Sequence, residues 1–224
     1  MSVVSDWSAP PPNLGLLESD VHVWRAFLDS DPRRTGRLAN VLSQDVLRAI
    51  LGRYSGRAAS TIEFAYGSAG KPRIASLQSD MAIAFNVSHS GGLAVYAFAR
   101  NREVGVDVEL VRPLDDLETI SERVLSQNEL AHLRGLPPPH RHEAFFLSWT
   151  RKEVYVKAKG LGRGPPFDAF DFSVPAEMAE RLAMDADHWT VCSVRPAGGY
   201  IGALVAEGKW DVQLFSFTDS VAQL

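Results

Sequence analysis

Two stretches of this chain, SGGLAVYAFAR (90–100) and AGGYIGALVAE (197–207), share one pattern: a small residue, a Gly-Gly pair, then an alternating apolar strand ending in a charge. Glycine pairs permit the tight reversal that joins antiparallel strands, so each stretch reads as the turn and return strand of a β-hairpin. Each follows another apolar strand, and the two lie at corresponding places in the two halves of the chain. A duplicated unit of strands and helix predicts an α+β fold of two similar lobes in one chain, with the active site in the groove between them. Two unrelated hairpins are the alternative, and the pattern alone does not exclude it.

The remaining elements fill in around the hairpins. VHVWRAFL (21–28) alternates like a strand, and further strands are expected near 61–66, 82–87, 104–111, 189–195 and 210–217. Apolar residues at 38, 41, 42, 46, 47, 50 and 51 make a helical stripe over 38–54. Helices are also expected over 121–136 and 141–159, separated by Pro137-Pro138-Pro139 as a breaker. Residues 1–19, with their own Pro10-Pro11-Pro12 run, read as a flexible arm. The expected division is then an N-terminal lobe over 20–112 and a C-terminal lobe over 113–224.

Composition limits the function. Hydrophobic residues at 46% and charged residues at 22% are ordinary for a folded globular protein. A net charge of −4 argues against a broad nucleic-acid surface. The start MSVVSDWSAPPPN lacks a basic, apolar leader, and no stretch is long enough to span a membrane. Cys192 is the one cysteine, so no internal disulfide can form and a reducing cytoplasm is expected, while two lobes in one chain make a monomer the expected state.

Chemistry concentrates in four places. In GVDVELVRP (105–113), Asp107 and Glu109 are two apart on a strand and leave the same face. Carboxylates about 7 Å apart repel unless positive charge lies between them, and Mg²⁺ suits the task because it takes few protein ligands and completes its shell with water and phosphates. Two solvated surface acids would look the same. In FFLSWTRKEVYVKAKG (145–160), Trp149, Glu153 and Lys157 follow at steps of four along one helical face. That pair could be an ordinary ion pair, but the apolar neighbours Trp149 and Val156 want burial. In FNVSHSGG (85–92), Asn86, Ser88 and His89 stand where a strand enters the Gly-Gly turn, and hydroxyls, turn amides and an imidazole can cradle a phosphate. GSAGKP (67–72) fixes Lys71 ahead of Pro72 in a turn.

Taken together, Gly70-Lys71-Pro72, Asn86-Val87-Ser88-His89-Ser90, Gly105-Val106-Asp107-Val108-Glu109 and Trp149-Thr150-Arg151-Lys152-Glu153, with Lys157, Ala158, Gly160 and Gly162 behind, resemble the 4′-phosphopantetheinyl transferase superfamily, of the surfactin-synthetase-activating type. Order and spacing agree from about residue 60 to 165. The resemblance implies transfer of the phosphopantetheine arm of coenzyme A to a serine of an apo acyl or peptidyl carrier protein, with release of adenosine 3′,5′-bisphosphate. It implies that Asp107, Glu109 and Glu153 hold Mg²⁺, and that Asp107, Glu153 and Lys157 carry the catalysis. Lys71, Pro72, Ser88 and His89 would then bind coenzyme A alongside Asp107 and Lys157, His89 at its 3′-phosphate.

One departure stands out. Where relatives carry an arginine used at coenzyme A, the aligned position here is Ala39, with Arg33, Arg34 and Arg37 nearby. The basic cluster Arg151, Lys152, Lys159 and Arg163, beside Leu161 and Phe167, is expected to dock an acidic carrier. Two other classes compete: a different Mg²⁺-dependent phosphate enzyme, and a module that binds carrier domains without turnover. The absence of a GxxxxGK[ST] loop removes the P-loop nucleotidases from the first.

Overall fold

A computed structural model describes residues 5–28, 37–67, 72–75, 82–158, 171, 182–184 and 189–218. The fold is mixed α and β. One four-stranded sheet holds β1 (Asp20–Phe27), β4 (Ile83–Ser90), β5 (Leu93–Arg100) and β10 (Asp211–Ser216) in the order β10-β1-β5-β4. The other holds β6 (Val104–Leu110), β7 (Leu182–Met184), β8 (Trp189–Val194) and β9 (Tyr200–Glu207) in the order β6-β9-β8-β7. A small third sheet pairs β2 (Phe64–Tyr66) with β3 (Pro72–Ile74). The helices are α1 (Arg37–Ser55), α2 (Leu117–Val124), α3 (Gln127–Gly135) and α4 (Pro138–Ala158).

Both hairpins form. Ser90 pairs with Leu93 across Gly91 and Gly92, whose φ values of 52° and 82° give the two-residue turn its mirror-image geometry. In the second hairpin β8 pairs antiparallel with β9, Val194 opposite Gly202. The hairpin tips meet, the Tyr200 hydroxyl donating to the carbonyl of Gly91.

Strand β5 is covered on both faces, which explains its unbroken apolar run. Its Leu93, Val95, Ala97 and Ala99 enter one core with Val21, Val23, Val104, Val106, Val108 and Leu204, drawn from both sheets. Its Ala94, Tyr96 and Phe98 enter a second core with Trp24, Phe85 and the α1 residues Val46, Leu47, Ile50 and Leu51. Each fully buried valine, leucine, isoleucine or phenylalanine among them stabilises by about 1.5–3 kcal/mol.

Strand membership crosses the chain: β6 belongs with β7, β8 and β9, while β10, from the far end of the chain, runs parallel to β1. A parallel partner nearly two hundred residues away leaves no local signal. Several expectations need correction. Residues 5–19 are tied down rather than a loose arm. Ser8 bridges to Phe215, the Trp7 indole donates to the Arg195 carbonyl at 3.0 Å, and Leu16 is buried. The expected helix 121–136 is two helices, because Ser126 and Glu129 form a reciprocal capping box that starts α3. Pro138 opens α4 instead of breaking it, since the first turn of a helix does not need its N–H.

Candidate active site

The site is built where β4, β6 and α4 meet. On β6 the valines face the first core, so Gly105, Asp107 and Glu109 take the opposite face. Helix α4 covers that face closely. A Cβ at Gly105 would stand 2.6 Å from the Val154 carbonyl oxygen, a distance no real side chain tolerates. One helical turn on from Val154, Lys157 reaches Asp107, with Nζ 2.5 Å from Oδ1.

Asp107 is 3% exposed. Its Oδ1 accepts from Lys157 and from the Ser88 hydroxyl, the latter at 2.7 Å, and Lys157 lies 3.4 Å from the same hydroxyl. Its Oδ2 is buried and has no hydrogen-bond partner. Glu109 is held from two sides: the Ser90 hydroxyl donates to Oε2 at 2.8 Å, and the Arg112 guanidinium lies 3.6 Å from it, stacked over Phe146. Burial raises the Glu109 carboxyl above the usual range and Asp107 adds to the rise, while Ser90, Arg112 and Lys157 oppose it. Burial also raises Glu153; Lys157 pulls it down, and Asp107 and Glu109 push it up. Three carboxylates therefore act on one another and on a single lysine.

Among the described residues, no three His, Cys, Asp or Glu side chains form a ready-made metal cage. A hard cation with a mostly solvent and phosphate shell does not need one. The donor set fits such a cation on two counts. Asp107 Oδ2 is a buried acceptor without a donor, which is costly unless something positive meets it. Glu109 and Glu153 are desolvated acids whose mutual repulsion a divalent charge would relieve.

Of the other expected residues, His89 and Pro72 are described. His89 is exposed on β4, its Nε2 2.6 Å from Asn40 Oδ1 at the start of α1. Partial desolvation of the ring, then the Lys157 charge, lower its pKa, against an opposing pull from its own backbone. Pro72 is half-buried on β3. Lys71, Arg33, Arg34, Lys159, Leu161, Arg163 and Phe167 lie outside the described residues, as do the side chains of Arg37 and Ala39.

The proposed docking cluster fails at its described members. Arg151 is 3% exposed and donates from Nε to Ser193 Oγ; Lys152 is wholly buried against Glu129. Neither is available to a partner, because both lie on the core side of α4 while Glu153 and Lys157 face β6. Three residues at the site escaped the sequence reading as contributors: Ser90, Arg112 and Asn40. For Ser90 a signal existed, since Asn86, Ser88 and Ser90 are polar at every second position of a strand. For Asn40 there was none, as the α1–β4 contact spans 49 residues.

A family model described as the 4′-phosphopantetheinyl transferase superfamily matches residues 103–205. Among curated proteins, the chain is 33% identical over 224 aligned residues to 4′-phosphopantetheinyl transferase HetI of Nostoc sp., covering 90% of this chain and 94% of that one. It is 32% identical to 4′-phosphopantetheinyl transferase AcpT of Salmonella typhi, over 60% of this chain and 68% of that one. Among solved structures, Thermotoga maritima holo-[acyl-carrier-protein] synthase aligns at 22% identity, covering 48% of this chain and 63% of the other, with a TM-score of 0.32.

Proposed function

We infer the activity from one premise: the chain belongs to the 4′-phosphopantetheinyl transferase superfamily. It transfers the 4′-phosphopantetheine arm of coenzyme A to a serine of an apo acyl or peptidyl carrier protein and releases adenosine 3′,5′-bisphosphate. The observation that carries this reading is Asp107, with one oxygen held by Ser88 and Lys157 and the other buried without a partner. Asp107, Glu109 and Glu153 would hold Mg²⁺, which when bound neutralises pyrophosphate charge and polarises the phosphorus.

The chain's own residues supply the rest. Glu153, its pKa raised by burial, is suited to take the proton of the carrier serine as the hydroxyl oxygen attacks the phosphorus that bears pantetheine. The P–O bond to the bridging oxygen breaks, and the bisphosphate departs with the bond's electrons. Lys157, reaching the site from α4, donates toward the oxygen on which charge collects. His89, Lys71 and Pro72 would serve the nucleotide end, with His89 steadied by Asn40. Ser88 is read as part of the phosphate-proximal wall, because its hydroxyl is turned to Asp107.

The two sheets are read as repeated lobes, 20–112 and 113–224, that exchange β6 and β10, with the groove at their seam. One chain supplies β4, β6 and α4, so a monomer suffices. No described helix is long and apolar enough to cross a membrane, and the buried Cys192 suits a reducing cytoplasm.

The test is incubation with coenzyme A, Mg²⁺ and a panel of apo carrier proteins, followed by mass spectrometry. The expected result is phosphopantetheine on the carrier serine. Carrier captured but never modified would point instead to a binding module, and hydrolysis of coenzyme A without transfer to a phosphohydrolase.

A further inference from the structure

Between the facing edges of the two sheets runs a ladder of side chains. Asn86 Oδ1 accepts from the Val106 N–H at 2.9 Å, Ser88 Oγ from the Val108 N–H at 3.4 Å, and Ser90 Oγ from the Leu110 N–H at 3.2 Å. The offset is a constant twenty residues, so β4 lies parallel to β6 and polar side chains take the place of backbone rungs. Two of the three rungs do a second thing. Ser88 donates its only proton to Asp107, and Ser90 donates its only proton to Glu109, each across nineteen residues.

We propose that Ser88 and Ser90 are a matched pair of positioning residues, which orient Asp107 and Glu109 for a divalent cation through the seam between the sheets. The inference rests on the transferase reading for the identity of the ligands and deepens it. A serine hydroxyl that accepts a backbone N–H and donates to a carboxylate has no rotational freedom left. Its carboxylate is therefore pinned by one oxygen. At Asp107 this sets Oδ1 against Ser88 and Lys157 and leaves Oδ2 as the buried, unpartnered acceptor. At Glu109 it sets Oε2 between Ser90 and Arg112. Asn86 supplies the same kind of rung with no acid attached, which separates holding the sheets together from aiming the ligands.

The experiment uses the full chain and Mn²⁺ as a spectroscopic stand-in, with free Mn²⁺ read by electron paramagnetic resonance in the presence of coenzyme A. Ser90→Ala should weaken Mn²⁺ binding about tenfold or more, the range seen when partners of metal ligands are removed. Ser90→Thr, which keeps the hydroxyl, should bind close to wild type. Asn86→Ala should lower the melting temperature while leaving Mn²⁺ affinity close to wild type. Wild-type affinity in Ser90→Ala overturns the proposal, as does an equal loss in Asn86→Ala, which would assign the effect to the seam alone. A wild-type chain that binds no Mn²⁺ overturns both the proposal and the ligand assignment. Transfer to carrier is scored separately, so a chain that binds Mn²⁺ but modifies no carrier retires the transferase reading while the serine pair stands.

Discussion

Lys152 Nζ lies 2.6 Å from Glu129 Oε2, and both side chains are out of reach of water. The same ammonium donates to the Val124 carbonyl at 2.8 Å, and the same carboxylate caps α3 through Ser126. One buried cation thus joins the end of α2, the start of α3 and the middle of α4. Removing one member of a buried pair strands the other, at a cost of about 3–5 kcal/mol. Lys152→Ala should lose stability on that scale in urea unfolding. Lys157→Ala also strands a buried acid, Asp107, but Lys157 is itself about a third exposed and faces the site, so this variant should lose less stability than Lys152→Ala while losing transfer. A small effect of Lys152→Ala on unfolding would count against this keystone role.

Asp107→Ala and Glu109→Ala should remain folded and lose transfer by about a hundredfold or more, since each takes several kcal/mol from transition-state stabilisation. Circular dichroism establishes the fold and single-turnover kinetics the rate. A near-wild-type rate at limiting Mg²⁺ in either variant removes that residue from the ligand set.

At the nucleotide end, His89→Ala should weaken coenzyme A more than dephospho-coenzyme A, because the ring is assigned to the 3′-phosphate. Calorimetry on both ligands makes the comparison. Equal losses return His89 to a structural role with Asn40.

His22 supplies a pH dependence of stability. It is 1% exposed, with Nδ1 2.9 Å from the Tyr54 hydroxyl and Nε2 buried without a hydrogen-bond partner, 3.7 Å from Asp20. Burial lowers its pKa from 6.5, against the opposing pull of Asp20. Between the folded pKa and 6.5 the unfolded chain binds more protons, so stability is present above 6.5 and is lost as pH falls through the folded pKa. His22→Gln should flatten this part of the stability–pH curve, below 6.5, in urea titrations. An unchanged slope would assign the dependence to other groups.

How far the sequence reaches depends on the distance over which each feature is encoded. Asp107 and Glu109 share a face because a strand alternates, and Glu153 and Lys157 share one because a helix repeats. Both are local and both were legible, as were the glycine-turned hairpins. The division of the 121–136 helix was legible too, in Ser126 and Glu129, but the apolar pattern ran across it and masked it. The sheet each of β6 and β10 joins, and the choice of β6 as partner for the polar row of β4, depend on contacts between segments far apart in the chain, and no periodicity encodes them. Arg151 and Lys152 misled because charge was taken for exposure; Glu129 and Ser193, which satisfy them, come from other elements.

The close approach of α4 to β6 yields the last prediction. At Gly105 an added Cβ would meet Val154 O at 2.6 Å and the side chains of Ala158 and Val205 at 3.1 Å. The first of these is backbone, so the helix must move rather than a side chain turn aside. Gly105→Ala should cost about 1–3 kcal/mol as an overpacked contact. Displacing α4 also draws Lys157 and Glu153 away from Asp107, and a shift of about 1 Å at a reacting centre can cost a hundredfold in rate. The variant should therefore lose far more transfer than stability, with Mn²⁺ binding through Asp107 and Glu109 less affected, since both of those remain on β6. A variant whose rate falls only in proportion to its unfolded fraction would show that α4 can shift without disturbing the chemistry.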